Sequence, residues 1–251
     1  MSQEMNFIDY PRKIYKRTFL DTVFVVLSYS INQMTEELIS SINQFLRENF
    51  NAQENITKDL FDKGFSIDNE EKGFSYFFSS HYLGVKYFKD DYVSFHQTMM
   101  PLFYPLMAFL KNIVFVKMVS KLFIRKANIW TIKQNSNNKY DEINLINTFL
   151  STDLVSQAHS YNPAVDDNLR DAHRLIGKTD SFEFDILYGL RDSKLSETDQ
   201  YVGLVLFENV QVESLPISEM ETILLSMNNT LYNIFHWSVS KKTLAYMSQE
   251  E

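Results

Sequence analysis

The sequence predicts an α+β fold with largely antiparallel sheets, amphipathic helices packed on one side, and a long C-terminal helix. Three observations carry this. Runs of short strands joined by turn chemistry stand between stretches of helical spacing, which is the pattern of segregated rather than strictly alternating elements. The chain holds 21 Phe and 14 Tyr against 6 Gly and 5 Pro, a balance that favours packed strands and helices over long turn-rich loops. Hydrophobic residues make up 45% and charged residues 22%, which excludes a disordered or fibrous chain.

The first strand is expected over Phe19 to Ser30, where β-branched and aromatic residues occupy both parities and imply cover on both faces. A helix follows, with Thr35 as N-cap, Glu36 and Glu37 in its first turn, and an apolar stripe of Leu38, Ile39, Ile42, Phe45 and Leu46 toward Phe50. From Phe65 to Thr98 short aromatic runs (FSID, FSYFFSSHY, GVKYF, YVSFHQT) separated by turn residues predict an antiparallel meander. A second helix is expected from Pro101, carrying Leu102, Leu106, Phe109 and Ile113 on one side, with Pro105 as a kink. From Val114 the period falls to two, predicting a long strand to about Ile132.

Gln134 to Lys139 predicts a polar loop, after which Asp141 is expected to cap a short helix bearing Ile143, Ile146, Phe149 and Leu150. Residues 151–174 carry no clear period. Two strands, 181–189 and 201–214, are expected as a hairpin. Ser218 and Glu221 form a capping-box pattern after Pro216, opening a helix whose stripe runs from Met220 to Trp237. A short helix or turn is expected after Ser240. The order suggests one βαββα plan used twice, in halves 1–113 and 114–251 of a single domain, although no residues match at a fixed period.

The net charge of −8 disfavours general attraction to polyanions. Its distribution is uneven: residues 1–91 carry 10 basic and 14 acidic groups, 92–140 carry 7 basic and none acidic, and 141–251 carry 7 basic and 18 acidic. The basic 111–139 segment keeps a nucleic-acid contact open beside internal charge pairing. With no cysteine, disulfides, thiolate metal sites and thiol catalysis are excluded. The start of the chain lacks the apolar run of a secretory signal, and Lys111, Lys117 and Lys121 interrupt the most apolar segment. The expectation is a cytoplasmic protein without a membrane span.

No Gly-rich phosphate loop, nucleophile elbow or metal-type His spacing occurs, so no cofactor is expected. Three patterns hold candidate chemistry. On the odd parity of the central strand, Phe115, Lys117, Val119, Lys121, Phe123 and Arg125 interleave cations with rings, a face suited to stacking and phosphate neutralisation or to an acidic partner. The binding candidates are therefore Lys117, Lys121, Phe123 and Arg125. In DDNLRDAHR, a helical conformation would put Asp167 and Asp171 on one face near His173, offering a divalent-ion site. In SFEFDILYG, Glu183 and Asp185 project from one face of a strand, as paired acids do in metal-dependent nucleases. Solvated, self-paired faces are the competing explanation for both acidic patterns.

Four segments, YKRTFLDTVFVVLSYS, DYVSFHQTMMPLFYPLMAFLKNI, VSKLFIRKANIW and LLSMNNTLYNIFHWSVSKKTL, together resemble a sporadically distributed family of uncharacterised bacterial and archaeal proteins of about this length. The resemblance implies no established activity, and the patchy occurrence of that family implies mobile or defence-type gene neighbourhoods. The functional expectation is a non-enzymatic interaction or sensor protein acting with a protein partner or by self-association. The alternatives are a binder of an apolar small molecule between sheet and helices, and a metal-dependent hydrolase or nuclease.

Overall fold

The computed structural model describes the chain except residues 1–2, 14, 16–17, 32–33, 52–54, 134–139, 163–168, 195–199 and 249–251, with the backbone alone described at 132–133, 140–144, 193–194 and 200. The fold is α+β, with helix and strand at 38% each and mostly antiparallel pairing. Among the described residues no helix is long and apolar enough to cross a membrane. The chain packs as two compact units that interleave along the sequence: one of residues 1–21, 125–210 and 229–251, the other of 22–124 and 211–228. These units cut the chain elsewhere than the expected halves 1–113 and 114–251.

In the unit of 22–124 and 211–228 the first long strand, β2 (Leu20–Ser28), buries Val23, Val25 and Leu27 completely and leaves Thr22, Phe24 and Val26 half-buried. One face is thus sealed and the other partly open, where full cover on both faces was expected. Helix α1 (Glu36–Phe50) starts where its cap chemistry dictates: the Thr35 hydroxyl accepts from the Leu38 N–H at 3.1 Å, and Asn51 closes the far end in the left-handed region. A short helix without a sequence expectation, α2 (Lys58–Lys63), is capped by Thr57 and buries Phe61. The meander follows as β3 (Phe65–Asn69), β4 (Phe74–Phe78) and β5 (Tyr82–Tyr87), all antiparallel, with Ile67 opposite Tyr76 and Tyr76 opposite Val85. β5 also pairs antiparallel with β2, Val85 against Val25.

The expected strand YVSFHQT is instead a π-helical turn over Phe95–Met99. The Ser94 hydroxyl caps it by accepting from the Gln97 N–H, and the turn runs directly into α3 (Met100–Asn112), which contains Pro105. A polar cap followed by a tolerated proline outweighs alternating apolarity here. Phe109 lies at the centre of an aromatic cluster, 5.4 Å from Phe45, 5.5 Å from Phe78 and 6.4 Å from Phe61 between ring centroids. Burying each of these rings contributes roughly 2 kcal/mol by area.

Strand β6 (Met118–Lys133) starts four residues later than expected. Backbone N–H groups at the predicted strand start are already spent closing α3: Val114 N–H on Phe109 O at 3.2 Å and Val116 N–H on Leu110 O at 2.9 Å. In this unit the strand order is β10, β6, β2, β5, β4, β3, where β10 is Gln200–Pro216. The capping-box expectation is also corrected: a 3₁₀ turn, Ile217–Glu219, precedes α6 (Met220–Ser238), and the Glu221 carboxylate accepts the Tyr104 hydroxyl at 3.0 Å.

The unit of 1–21, 125–210 and 229–251 has the strand order β1, β8, β9, β10, β6, with β7 added on β8. Here β1 is Gln3–Glu4, β7 His159–Ser160, β8 Arg170–Lys178 and β9 Glu183–Lys194. β1 lies parallel to β8, whereas β7 and β9 lie antiparallel to it. Helices α4 (Tyr140–Phe149), α5 (Thr152–Gln157) and α7 (Lys241–Ser248) complete the unit. The Asp141 cap and the Gln134 to Lys139 loop lie outside the described side chains and residues. Buried Trp130 stacks on Phe149 at 5.5 Å, and Phe19 packs edgewise to Phe149 and tilted against Trp130.

Candidate functional site

The basic face does not exist as one strand face. Phe115 and Lys117 precede β6, in the segment that closes α3. Phe115 sits at φ 53° with 76% of its surface exposed, an unusual state for a bulky side chain. Lys117 is exposed, and its carbonyl accepts the Ile217 N–H at 3.0 Å. Lys121 and Phe123, in the same unit, are half-buried. Arg125 belongs to the other unit, where its Nε–H donates to Asn209 Oδ1 at 2.7 Å and its guanidinium lies 5.2 Å from the Phe207 ring centre. Around Phe115 and half-exposed Met118 opens a groove of about 770 Å³, also lined by Ile31, Leu38, Val114 and Lys117, with Glu37 at the start of α1.

The acidic candidates are dispersed. Asp167 lies outside the described residues, and Asp171 and His173 are on a strand, not a helix. Asp171 has φ 48° at an irregularity in the β8/β9 register and pairs with Arg170 at 3.6 Å. His173 stacks on Tyr188, centroids 5.2 Å apart. Asp185 receives both arms of Arg174, Nε at 2.8 Å and Nη2 at 2.7 Å, so its two oxygens are engaged. Exposed Glu183 faces Lys178 across the β8/β9 ladder. Asp185 thus takes its basic partner from the neighbouring strand. Among the described residues no three His or acidic side chains come together as a metal set.

Two arrangements had no sequence expectation, and both lie in the unit of 1–21, 125–210 and 229–251. The first is internal. Glu208 is fully buried on β10, with Asn128 Nδ2 at 3.5 Å from Oε2 and with Lys126 and Ser238 nearby. Oε1 has no partner of hydrogen-bonding geometry, although Ser238 and Lys126 are close enough to draw the carboxyl's pKa down somewhat. Burial outweighs both and pushes Glu208 up to about 8. Lys126 is depressed to about 8 by burial and by Arg12, against the pull of Glu208. It keeps part of its surface exposed, so its depression is the softer of the two.

The second arrangement surrounds His236. Tyr10 stacks on the imidazole at 4.7 Å and 24°, the Tyr232 ring lies 4.5 Å away, and the Tyr15 hydroxyl is 2.9 Å from Nε2. Burial, Lys13 and Arg12 hold His236 down at about 4, leaving it neutral at pH 7. Backbone contacts tie the N-terminal segment over α6: Tyr10 N–H to Asn233 Oδ1 at 3.1 Å, Lys13 N–H to the Tyr232 oxygen at 2.9 Å, and the Tyr232 hydroxyl to Pro11 O at 3.0 Å. Signals for both arrangements exist in the sequence. Glu208 interrupts an otherwise apolar run, VGLVLFENV, and Tyr10 and Tyr15 flank a basic cluster, PRKI.

Among the described residues the α+β fold carries an apolar surface cleft in one unit and an aromatic, cation-edged cavity in the other. No protein-family model and no curated protein sequence matches the chain.

Proposed function

We propose that this chain is a non-enzymatic interaction protein, and that its groove at Phe115 docks the acidic amphipathic helix of a partner protein. The carrying observation is Phe115 itself: a phenyl ring held 76% exposed on a left-handed backbone. That conformation costs an L-residue about 1–2 kcal/mol, and the position closing a helix is normally given to glycine. A ring kept outside at a backbone cost suits a docking anchor. The apolar lining of Ile31, Leu38, Val114 and Met118 suits the apolar stripe of a helix; Lys117 in the lining and exposed Lys111 in the last turn of α3 favour acids on its flank, while Glu37 in the lining takes a base.

A protein occupant is favoured over nucleic acid because Arg125 of the predicted basic face is engaged by Asn209 and Phe207. The resemblance to a sporadically distributed family adds that the partner is encoded nearby, in a mobile or defence-type gene set, and acts with this chain in the cytosol. The test is co-purification of tagged wild-type chain and Phe115→Gly with the products of adjacent genes. Wild type retains an acidic partner and Phe115→Gly releases it while staying folded. Equal retention by both removes the groove from the interface.

A further inference from the structure

The aromatic cavity at His236 is independent of the Phe115 groove. It has about 310 Å³ and is lined by Tyr10, Pro11, Lys13, Tyr15, Leu244 and Ala245 together with the imidazole. That volume is at the lower end of small-molecule sites, enough for a compact body of one or two rings.

Two independent features give the cavity its selectivity. The first is preorganised apolar surface. Tyr10 and Tyr15 are held by His236 and Pro11 by Tyr232, so no ordering of these walls is needed on binding. The second is the sign of the field. Lys13 lines the cavity, and the Arg12 guanidinium lies 4.1 Å from the Tyr232 ring centre and bonds Asn229. Among the described residues the charged groups that bear on His236 are these two cations, the Asp9 carboxylate of the same segment being taken up by the Asn233 amide at 3.2 Å, so the buried imidazole remains an uncharged acceptor or donor beside positive charge. In a chain of net charge −8, this is a local reversal that disfavours cationic guests and attracts anionic ones.

We propose that this cavity binds an apolar carboxylate, its hydrocarbon body against Tyr10, Pro11, Leu244 and Ala245 and its carboxylate toward Lys13. Binding involves no covalent step. The ligand's charge is neutralised at the rim while the buried end stays dry, as amphipathic guests require.

The test is isothermal titration of the full chain with 2-naphthoate, with 2-naphthylmethanol as neutral analogue and 2-naphthylmethylammonium as cation. Wild type is expected to bind naphthoate below roughly 1 mM, about tenfold tighter than the alcohol, with the cation weakest. Ala245 is exposed, so Ala245→Trp fills the cavity mouth from the surface and abolishes binding. Lys13→Ala keeps the backbone bond to Tyr232 and reduces the preference for the anion to about threefold or less. Should Ala245→Trp fail to fold, nuclear Overhauser contacts between naphthoate ring protons and the Leu244 methyls of wild type carry the same information. Absence of naphthoate binding at several millimolar, equal binding of all three compounds, retention of binding in Ala245→Trp, or absence of the Leu244 contacts each overturns the proposal.

Discussion

Replacing Glu208 by Gln should change the shape of the stability–pH curve, not merely its height. In the wild type Glu208 is raised from 4.5 to about 8. A raised acid is more proton-binding when folded, so its stabilising contribution is whole below about 4.5 and is lost as pH climbs toward 8, at roughly 1.4 kcal/mol per pH unit. His236 works in the opposite sense. Lowered from 6.5 to about 4, it is fully compatible with folding above about 6.5 and costs stability as pH falls toward 4, with a similar slope. Lys126, lowered from 10.5 to about 8, imposes a constant cost below about 8 that is relieved only as pH rises toward 10.5.

Between about pH 4.5 and 6.5 the glutamate and histidine slopes oppose each other, so the wild type should be nearly flat there and then lose about 2 kcal/mol on going to pH 8. Glu208→Gln removes the falling component. The variant should gain about 2 kcal/mol from pH 4.5 to 6.5, then level off, so the gap between the proteins widens with pH in the variant's favour by roughly 4 kcal/mol in total. The amide introduces a donor that Asn128 and Ser238 must satisfy, which shifts the whole variant curve by about 1 kcal/mol without altering its slope. Urea denaturation of both proteins at four pH values from about 5 to 8, with slopes m held equal, measures the gap. A gap that stays constant across that range refutes the assignment of Glu208 as a buried, proton-retaining acid.

Three other substitutions test separate parts of the structure. Phe115→Gly relieves about 1–2 kcal/mol of left-handed strain and adds back about 0.5–1 kcal/mol of unfolded-chain freedom, so its melting temperature should equal or slightly exceed the wild type's by calorimetry; a clear drop would mean the ring is buried in packing that its exposure denies. Gly84→Ala places a Cβ 2.4 Å from the Val25 carbonyl oxygen and 2.5 Å from the Phe77 ring, and should destabilise by about 1–3 kcal/mol in urea titrations. Arg174→Lys replaces a two-armed contact to Asp185 with a point charge, and a loss of roughly 1–2 kcal/mol, rather than neutrality, is the expected result.

Local chemistry made the α+β class, α1, the β3–β5 meander and the stripe of α6 readable, because caps, alternation and helical spacing act over a few residues. Phe115 misled for a physical reason. Val114, Val116 and Met118 alternate as a strand would, but the backbone N–H groups of Val114 and Val116 are claimed by α3 carbonyls, and apolar periodicity carries no record of which acceptor a backbone donor meets. Asp171 and His173 illustrate the converse, since a helical spacing of acids has no force where the chain pairs as β8. The His236 cavity depends on Tyr10 and Tyr15, more than 200 residues distant along the chain; the pattern of rings around PRKI marks that segment but does not say which helix it covers.

The basic middle segment is the most instructive case, because its charge is real and its surface is not. Arg125 is turned to Asn209 and Phe207, while Lys126 is drawn toward a carboxyl that burial keeps protonated at neutral pH. Adjacent residues on one strand point to opposite faces, so these two cations cannot share a surface, and a run of positive charge in sequence does not sum to a positive patch. What remains for an outside partner in the described part of that segment is a pair of exposed lysines, Lys111 and Lys117. Two point charges guide an approaching molecule but do little to hold it in water. In the docking we propose, affinity at that surface comes from apolar contact, so the proposal turns on the exposed ring of Phe115 rather than on the two lysines.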